Sequence, residues 1–383
     1  MVLRMNTSTI NLPYYAKTTL VLLLIALLCL LIYTTNGIIF PAYFSLLLAV
    51  VLHPTVIWLI RKKIPNVFAI IIVLFISSII VIGILYFFIE QISLFASDWP
   101  QLKKNLLLYI DKINKWLQIN FNVKGKFLEK QAETLGNESG GNMVAGTLLS
   151  ITDIIAHAFL VPIYTFLILY YRKLLMKFLL DVYDAVHSPC ILNVVKDSKK
   201  VVSSYIVGLG IEMIIVIILN ATGLWLVGAN YIFLLALMAA ILNLIPYIGM
   251  IIASVIALVI TMSYSTDFAT CIGVIIVFNV VQIIDNNFIM PMVVGGKVKV
   301  NSIIAILGVF VGNALGGISG MFLSIPTIAI MKVAFDNIEH LKPWGMLLGD
   351  DVPVKYLSWK HVRSIWRYKK DIELKNEANT TLV

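Results

Sequence analysis

Charge is what this chain has least of. Asp, Glu, Lys and Arg make up only 13% of its 383 residues, about half the share found in a soluble domain. Several windows of roughly 20 residues hold no charge at all, enough to cross a hydrocarbon core as helix. An ordinary soluble domain is thereby excluded. Strict alternation of polar and apolar residues is also missing, which excludes an outer-membrane β-barrel. Cysteine is scarce: Cys29, Cys190 and Cys271 form no spaced motif and two lie in apolar runs. Neither a disulfide nor a metal site is expected. No glycine-rich loop precedes a Lys-Ser or Lys-Thr pair, so the chain carries no ATPase of its own. There is no HExxH helix and no Ser/His/Asp set, so no enzymatic activity and no cofactor are expected.

Hydrophobic residues, at 60%, take the place of the missing charge, and the mean hydropathy is +0.95. The net charge is nevertheless +9. In a membrane protein that excess belongs on cytoplasmic loops facing anionic lipid, so the expected partners are a bilayer and a small solute, not nucleic acid. The expected fold class is all-α and polytopic, with about eight transmembrane helices, some broken or re-entrant.

Apolar runs suggest spans at about 19–35, 38–60 and 67–89. The first has no small-residue cleavage pattern after it, which argues against a signal peptide. Residues 93–147 read as an extramembrane insert: Leu102, Leu106, Tyr109, Ile110, Ile113 and Trp116 share one helical face, and GNESGGNMVAG (136–146) is a linker by composition. Its side of the membrane stays open, because its lysines suit an external location badly. A fourth span covers about 148–172 and contains Asp153, His157 and Pro162. Residues 173–203 form a basic amphipathic segment, expected to lie flat on the cytoplasmic face. Spans five to eight fall within 204–333, and a charged cytoplasmic tail follows over 334–383, so eight crossings put both termini in the cytoplasm.

The last four spans contain features that lipid does not require. Glu212 lies inside an apolar run, where ionised burial is costly; it reads as a proton or cation site, or as a glutamate hydrogen-bonded between helices. Asn243, Pro246, Tyr247 and Gly249 interrupt the sixth span. Proline removes a donor there and clashes one turn back, freeing carbonyls for a ligand or merely kinking the helix for packing. Asn279, Gln282 and Asn286 follow i, i+3, i+7, and Asp285, Asn287 and Pro291 lie beside them, so one face of the seventh span is polar. That face reads as a solute or ion route, against interhelical hydrogen bonding or a cap at Asp285. Gly312, Gly316, Gly317, Gly320 and Pro326 divide 302–332 into two half-length pieces. These form either one broken span or a re-entrant hairpin, and the glycines act as a hinge or gate or else allow close helix packing through the small-xxx-small spacing of Gly308, Gly312 and Gly316. Irregular backbone at membrane depth is tolerated only where protein or a cavity surrounds it, and paired interruptions point to a transport site.

The segments FLVPIYTFLILYYR (159–172), SYIVGLG (204–210), LNLIPYIG (242–249), VQIIDNNFIMP (281–291) and the glycine-rich run ending in SIP (312–326) resemble the autoinducer-2 exporter family of bacterial permeases. The resemblance covers roughly 18–338. It implies a multi-pass inner-membrane transporter not driven by ATP, with export of the furanosyl signal autoinducer-2 as the founding activity and sodium–proton exchange in other members. The chain departs from the family pattern at Glu212, where many relatives are neutral, at Met250, where a second proline is frequent, and at Met290 and Met292, where basic residues are common. The resulting reading is a permease exporting a small solute, possible as a homo-oligomer, with H+ or Na+ as a candidate coupled ion. Two rivals are a sodium–proton antiporter and a non-transporting membrane scaffold or sensor.

Overall fold

A computed structural model of the protein describes residues 13–97, 159–182, 188–244, 249–264, 268–293 and 300–350, with six further positions between 104 and 119. All regular structure among the described residues is helical. The main helices are α1 (Tyr14–Thr34), α2 (Asn36–Arg61), α3 (Asn66–Ser97), α4 (Phe159–Tyr170) and α5 (Arg172–Asp181). They continue with α6 (Ser188–Val227), α7 (Ile232–Asn243), α8 (Gly249–Tyr264) and α9 (Phe268–Ile284), which runs through a π-turn (Asp285–Ile289) into α10 (Met290–Val293). α11 (Ser302–Asn337) and, after a 3-10 turn, α12 (Lys342–Leu348) complete the set.

Contacts between helices fix their directions. Ala49 and Val56 of α2 pack with Ala69, Ile70 and Val73 of α3 and with Leu169 of α4. Ser45 Oγ and Thr165 Oγ1 both donate to the carbonyl of Val161 (3.0 and 2.7 Å), clasping α2 to α4. Lys199 meets His53 and Val202 meets Leu47, so α6 runs opposite to α2. Gly223 lies under Val277 and Gly273 under Val227, so α9 runs back along α6. One end of the bundle therefore collects Arg61, Lys62 and Lys63, Arg172 and Lys173, and Lys199 and Lys200. We call it the basic end.

Two of the expected spans do not cross. Tyr231, before α7, and Tyr264, closing α8, share a 2.6 Å hydroxyl hydrogen bond, with ring centroids 5.0 Å apart. α7 has 12 residues, about 18 Å of helix against a core of about 30 Å. The pair is a hairpin that enters and leaves by the end opposite the basic one. Small residues let it insert closely: Ala236, Ala239, Ala240, Ala253 and Ala257 are all fully buried or nearly so.

α11 is a second hairpin, which decides between the two readings of 302–332. At Gly317 the backbone takes φ 58°, ψ −139°, a conformation that a residue with a Cβ resists. The chain then folds back, and the backbones of Gly312 and Gly320 touch so closely that a Cβ on either would collide with the other's carbonyl. The base is closed where Asn301 N donates to Leu348 O at 2.9 Å, and Cys190 Sγ reaches Asn337 O at 3.4 Å beside the start of α6. This hairpin enters from the basic end. Its tip rests on Phe40 near the start of α2. Of the eight predicted apolar runs, the sixth and eighth are hairpins.

Other boundaries move. The separate amphipathic helix expected to end near 203 is the first part of α6, which continues unbroken for 40 residues. No Gly or Pro interrupts Lys196–Ile206, and burial of Val202 and Tyr205 carries the helix inward. It therefore does not lie flat as a piece of its own. α3 runs to Ser97, past the expected end at 89 and the boundary at 92. Most of the insert and tail, with Asp153 and His157, lie outside the described residues. α1 has no buried residue; a leucine-rich helix so exposed is covered by lipid.

Candidate functional site

The site forms where the tip of the first hairpin meets α6 and the π-turn after α9. Asn243, the last residue of α7, points its side-chain nitrogen between two carboxylates. Nδ2 donates to Glu212 Oε1 at 3.1 Å and to Asp285 Oδ2 at 3.0 Å. An amide nitrogen has two hydrogens, so this one group satisfies one oxygen of each acid. Glu212 is 4% exposed and Asp285 1%. Glu212 stands 12 residues beyond Lys200 and 15 before Val227, which is roughly 18 and 22 Å along the helix. The pair thus lies near mid-depth.

A cavity of about 280 Å3 opens beside the pair, lined by Tyr205, Leu209, Glu212, Asn243, Leu244, Gln282, Asp285, Asn286 and Met290. Three buried oxygens at this wall have no hydrogen-bond partner: Glu212 Oε2, Asp285 Oδ1 and Gln282 Oε1. All three are acceptors. No Lys, Arg or His is among the lining residues, so charge balance has to come from a proton, a cation or a solute rich in donors. Buried unpaired acceptors are costly, and their concentration on one cavity is the chemical signature of the site.

A π-turn begins at Asp285, in the wall of the cavity. Met290 N bonds back five residues to Asp285 O, and such turns recur at functional sites. The predicted polar face splits. Gln282 and Asn286 line the cavity and bond to each other at 3.0 Å. Asn279 and Asn287 are exposed and donate to their own helix, to the carbonyls of Ile275 and Ile283. Asn279 borders instead a shallow groove of about 70 Å3 that shares Gln282 with the cavity. Pro291 is exposed in α10. Asp285 is not a cap, because helix continues past it to Val293.

Pro246 and Tyr247 lie outside the described residues, and Gly249 is buried at the start of α8 against the carbonyl of Leu242. Of the glycine hinge, Gly316 and Gly317 turn at Phe40, not among the lining residues, and Pro326 is buried in the returning leg. The second hairpin reaches the site through its flank: Ala305 and Ile325 pack on Tyr205 and Leu209, with Leu244 and Met290 beside them. Tyr205 and Leu209 escaped the sequence reading, although their spacing to Glu212 (i, i+4, i+7) puts all three on one helical face.

A family model described as AI-2E family transporter matches residues 20–340. Protein YueF of Bacillus subtilis is 25% identical over 325 residues, 79% of this chain and 84% of its own length. YrrI of the same organism is 31% identical, over 147 residues that make up 38% of this chain and 41% of that protein. The names of both assign them to transport provisionally and give no cargo. The AI-2 transport protein TqsA of Escherichia coli is 22% identical over 315 residues, covering 82% of this chain and 90% of its own.

Proposed function

The chain belongs to the AI-2E family of transporters, and on that footing we propose that it exports a small polar solute across the bacterial inner membrane through the cavity at Glu212, Asn243 and Asp285. One observation carries the reading: a hairpin tip holds two buried carboxylates through a single amide, next to a mid-depth cavity whose free groups are acceptors. A solute with several hydroxyls supplies the missing donors. A relative is named for AI-2 transport, which fits a cargo of that size and polarity. The chain has no nucleotide-binding loop, so movement is passive or ion-coupled. The excess of lysine and arginine makes the basic end cytoplasmic. The first hairpin then enters from outside and the second from the cytoplasm, which gives each side its own movable element.

A second reading is favoured by the charge balance of the site. Two buried acids with no basic lining residue suit exchange of a proton for a sodium ion at Glu212 and Asp285. Liposomes containing the protein and a pH-sensitive dye, placed under a sodium gradient, separate the two. A sodium-dependent pH change that vanishes in Asp285→Asn establishes exchange. No pH change in the wild type leaves uncoupled solute export. Asp285→Asn transporting both sodium and solute as well as wild type does would remove the site from the mechanism.

A further inference from the structure

We propose a second site, at the basic end, that binds the phosphate group of a net-anionic lipid. It lies at the junction of α2, α6 and the α4–α5 bend, apart from the transport cavity. Lys199 Nζ is 2.7 Å from His53 Nδ1. An ammonium has only donors, so Lys199 donates, His53 accepts at Nδ1, and the imidazole carries its hydrogen at Nε2. Arg172, where α4 bends by 64° into α5, lies within electrostatic reach of both side chains. Its Nη1 is buried and has no hydrogen-bond partner.

The cluster is unusual in what it lacks. Among the described residues no ion pair joins Arg172 or Lys199 to a carboxylate; the bridge from Lys332 to Asp336 lies elsewhere. Asp197, two residues from Lys199, is exposed. A lysine at a membrane boundary ordinarily extends to water, yet this one turns into the helix junction. Arg172 Nη1, the remaining ammonium hydrogens and His53 Nε2 are all donors, and a phosphate offers several acceptor oxygens in return.

The level of the site argues for lipid as the source. Trp58, Tyr170 and Tyr171 are exposed at this end, and Lys62 sits over the Trp58 ring at 3.7 Å. Exposed Trp and Tyr with flanking lysine mark the headgroup layer, and basic pockets between helices there accept anionic headgroups. His53 is eight residues before the end of α2, about 12 Å inward, within reach of a headgroup that settles between the helices.

The test titrates phosphatidylglycerol, phosphatidylcholine or inorganic phosphate into the purified full-length protein and follows its melting temperature. Phosphatidylglycerol is expected to raise it at concentrations where phosphatidylcholine has no effect. A matching rise with inorganic phosphate supports the same chemistry with a free anion as the source; no rise with it supports the lipid. Arg172→Gln and Lys199→Gln should each weaken the response about fivefold, whereas Lys62→Gln leaves it unchanged. Native mass spectrometry of the wild type, which depends on no variant, should retain phosphatidylglycerol or phosphate above the phosphatidylcholine background. No retention there, or an undiminished temperature shift in the Arg172→Gln, Lys199→Gln double variant, overturns the proposal.

Discussion

Asn243 is the residue on which the site turns, and its neighbours show how narrow that role is. Five amides were legible as a polar group from sequence: Asn243, Asn279, Gln282, Asn286 and Asn287. Only the first touches both acids. A hydrogen bond to a charged group contributes about 1.5–3 kcal/mol. Asn243→Ala is therefore expected to lower transport by roughly ten- to a hundredfold and, because it leaves a further oxygen of each buried acid unpaired, to lower the melting temperature as well. Asn279→Ala removes only a bond to the carbonyl of Ile275 and should leave transport within about twofold, the size of a surface change. Equal rates for these two variants in proteoliposomes would contradict the geometry. The sequence could not separate them because both read alike as amides in apolar runs, and which one meets the acids is set by how α7 packs on α6 and α9. The π-turn at Asp285 changes the phase only for the residues after it.

At the scale of elements, the breaks were readable and their outcome was not. Pro246 and Gly249 mark one interruption and the glycines at 312–320 another, each with a local physical cause. Whether a chain continues or returns after a break depends on partners far along it, such as Tyr231 with Tyr264 or Gly312 with Gly320. The second hairpin supplies its own check. Gly320→Val pushes a side chain against the backbone of Gly312, which has no rotamer to yield, and overpacking of that kind costs about 1–3 kcal/mol. Gly317→Ala imposes strain at φ 58°, of order 1–3 kcal/mol. Both should lower the melting temperature. Gly83→Ala, in the open on α3, should not. A Gly320→Val protein as stable as wild type would mean that the two legs do not meet.

For the molecule as a whole, replacing two crossings by two hairpins has a definite topological effect. An expected sequence of eight passes would put Asn230 and Tyr264 on opposite sides of the membrane, and likewise Asn301 and Ile338. The hairpins put each pair on one side, with the two pairs on opposite sides. Because two crossings are lost together, the revision does not alter on which side the tail is expected. Single cysteines at these four positions, in a protein with Cys29, Cys190 and Cys271 changed to Ser, can be labelled from outside intact cells by a membrane-impermeant maleimide. Labelling is expected at 230 and 264 and not at 301 and 338. Labelling at only one member of either pair would restore a crossing. Composition made the membrane and the all-helical fold legible, since those follow from charge and hydropathy alone. Direction did not follow, because it is a property of contacts.

The glycine seam of the second hairpin also has a mechanical meaning. Near the tip its two legs touch backbone to backbone at Gly312 and Gly320, Ile328 of the returning leg seats on Gly308 nearer the base, and the base is tied by the bond from Asn301 to Leu348. Such a hairpin turns as a lever. Its returning leg from Ile318 to Asn337 is about 30 Å long, so a tilt of about 6° at the base carries the tip about 3 Å past Phe40. A small push at the basic end thus becomes a displacement the width of a water molecule at the far face.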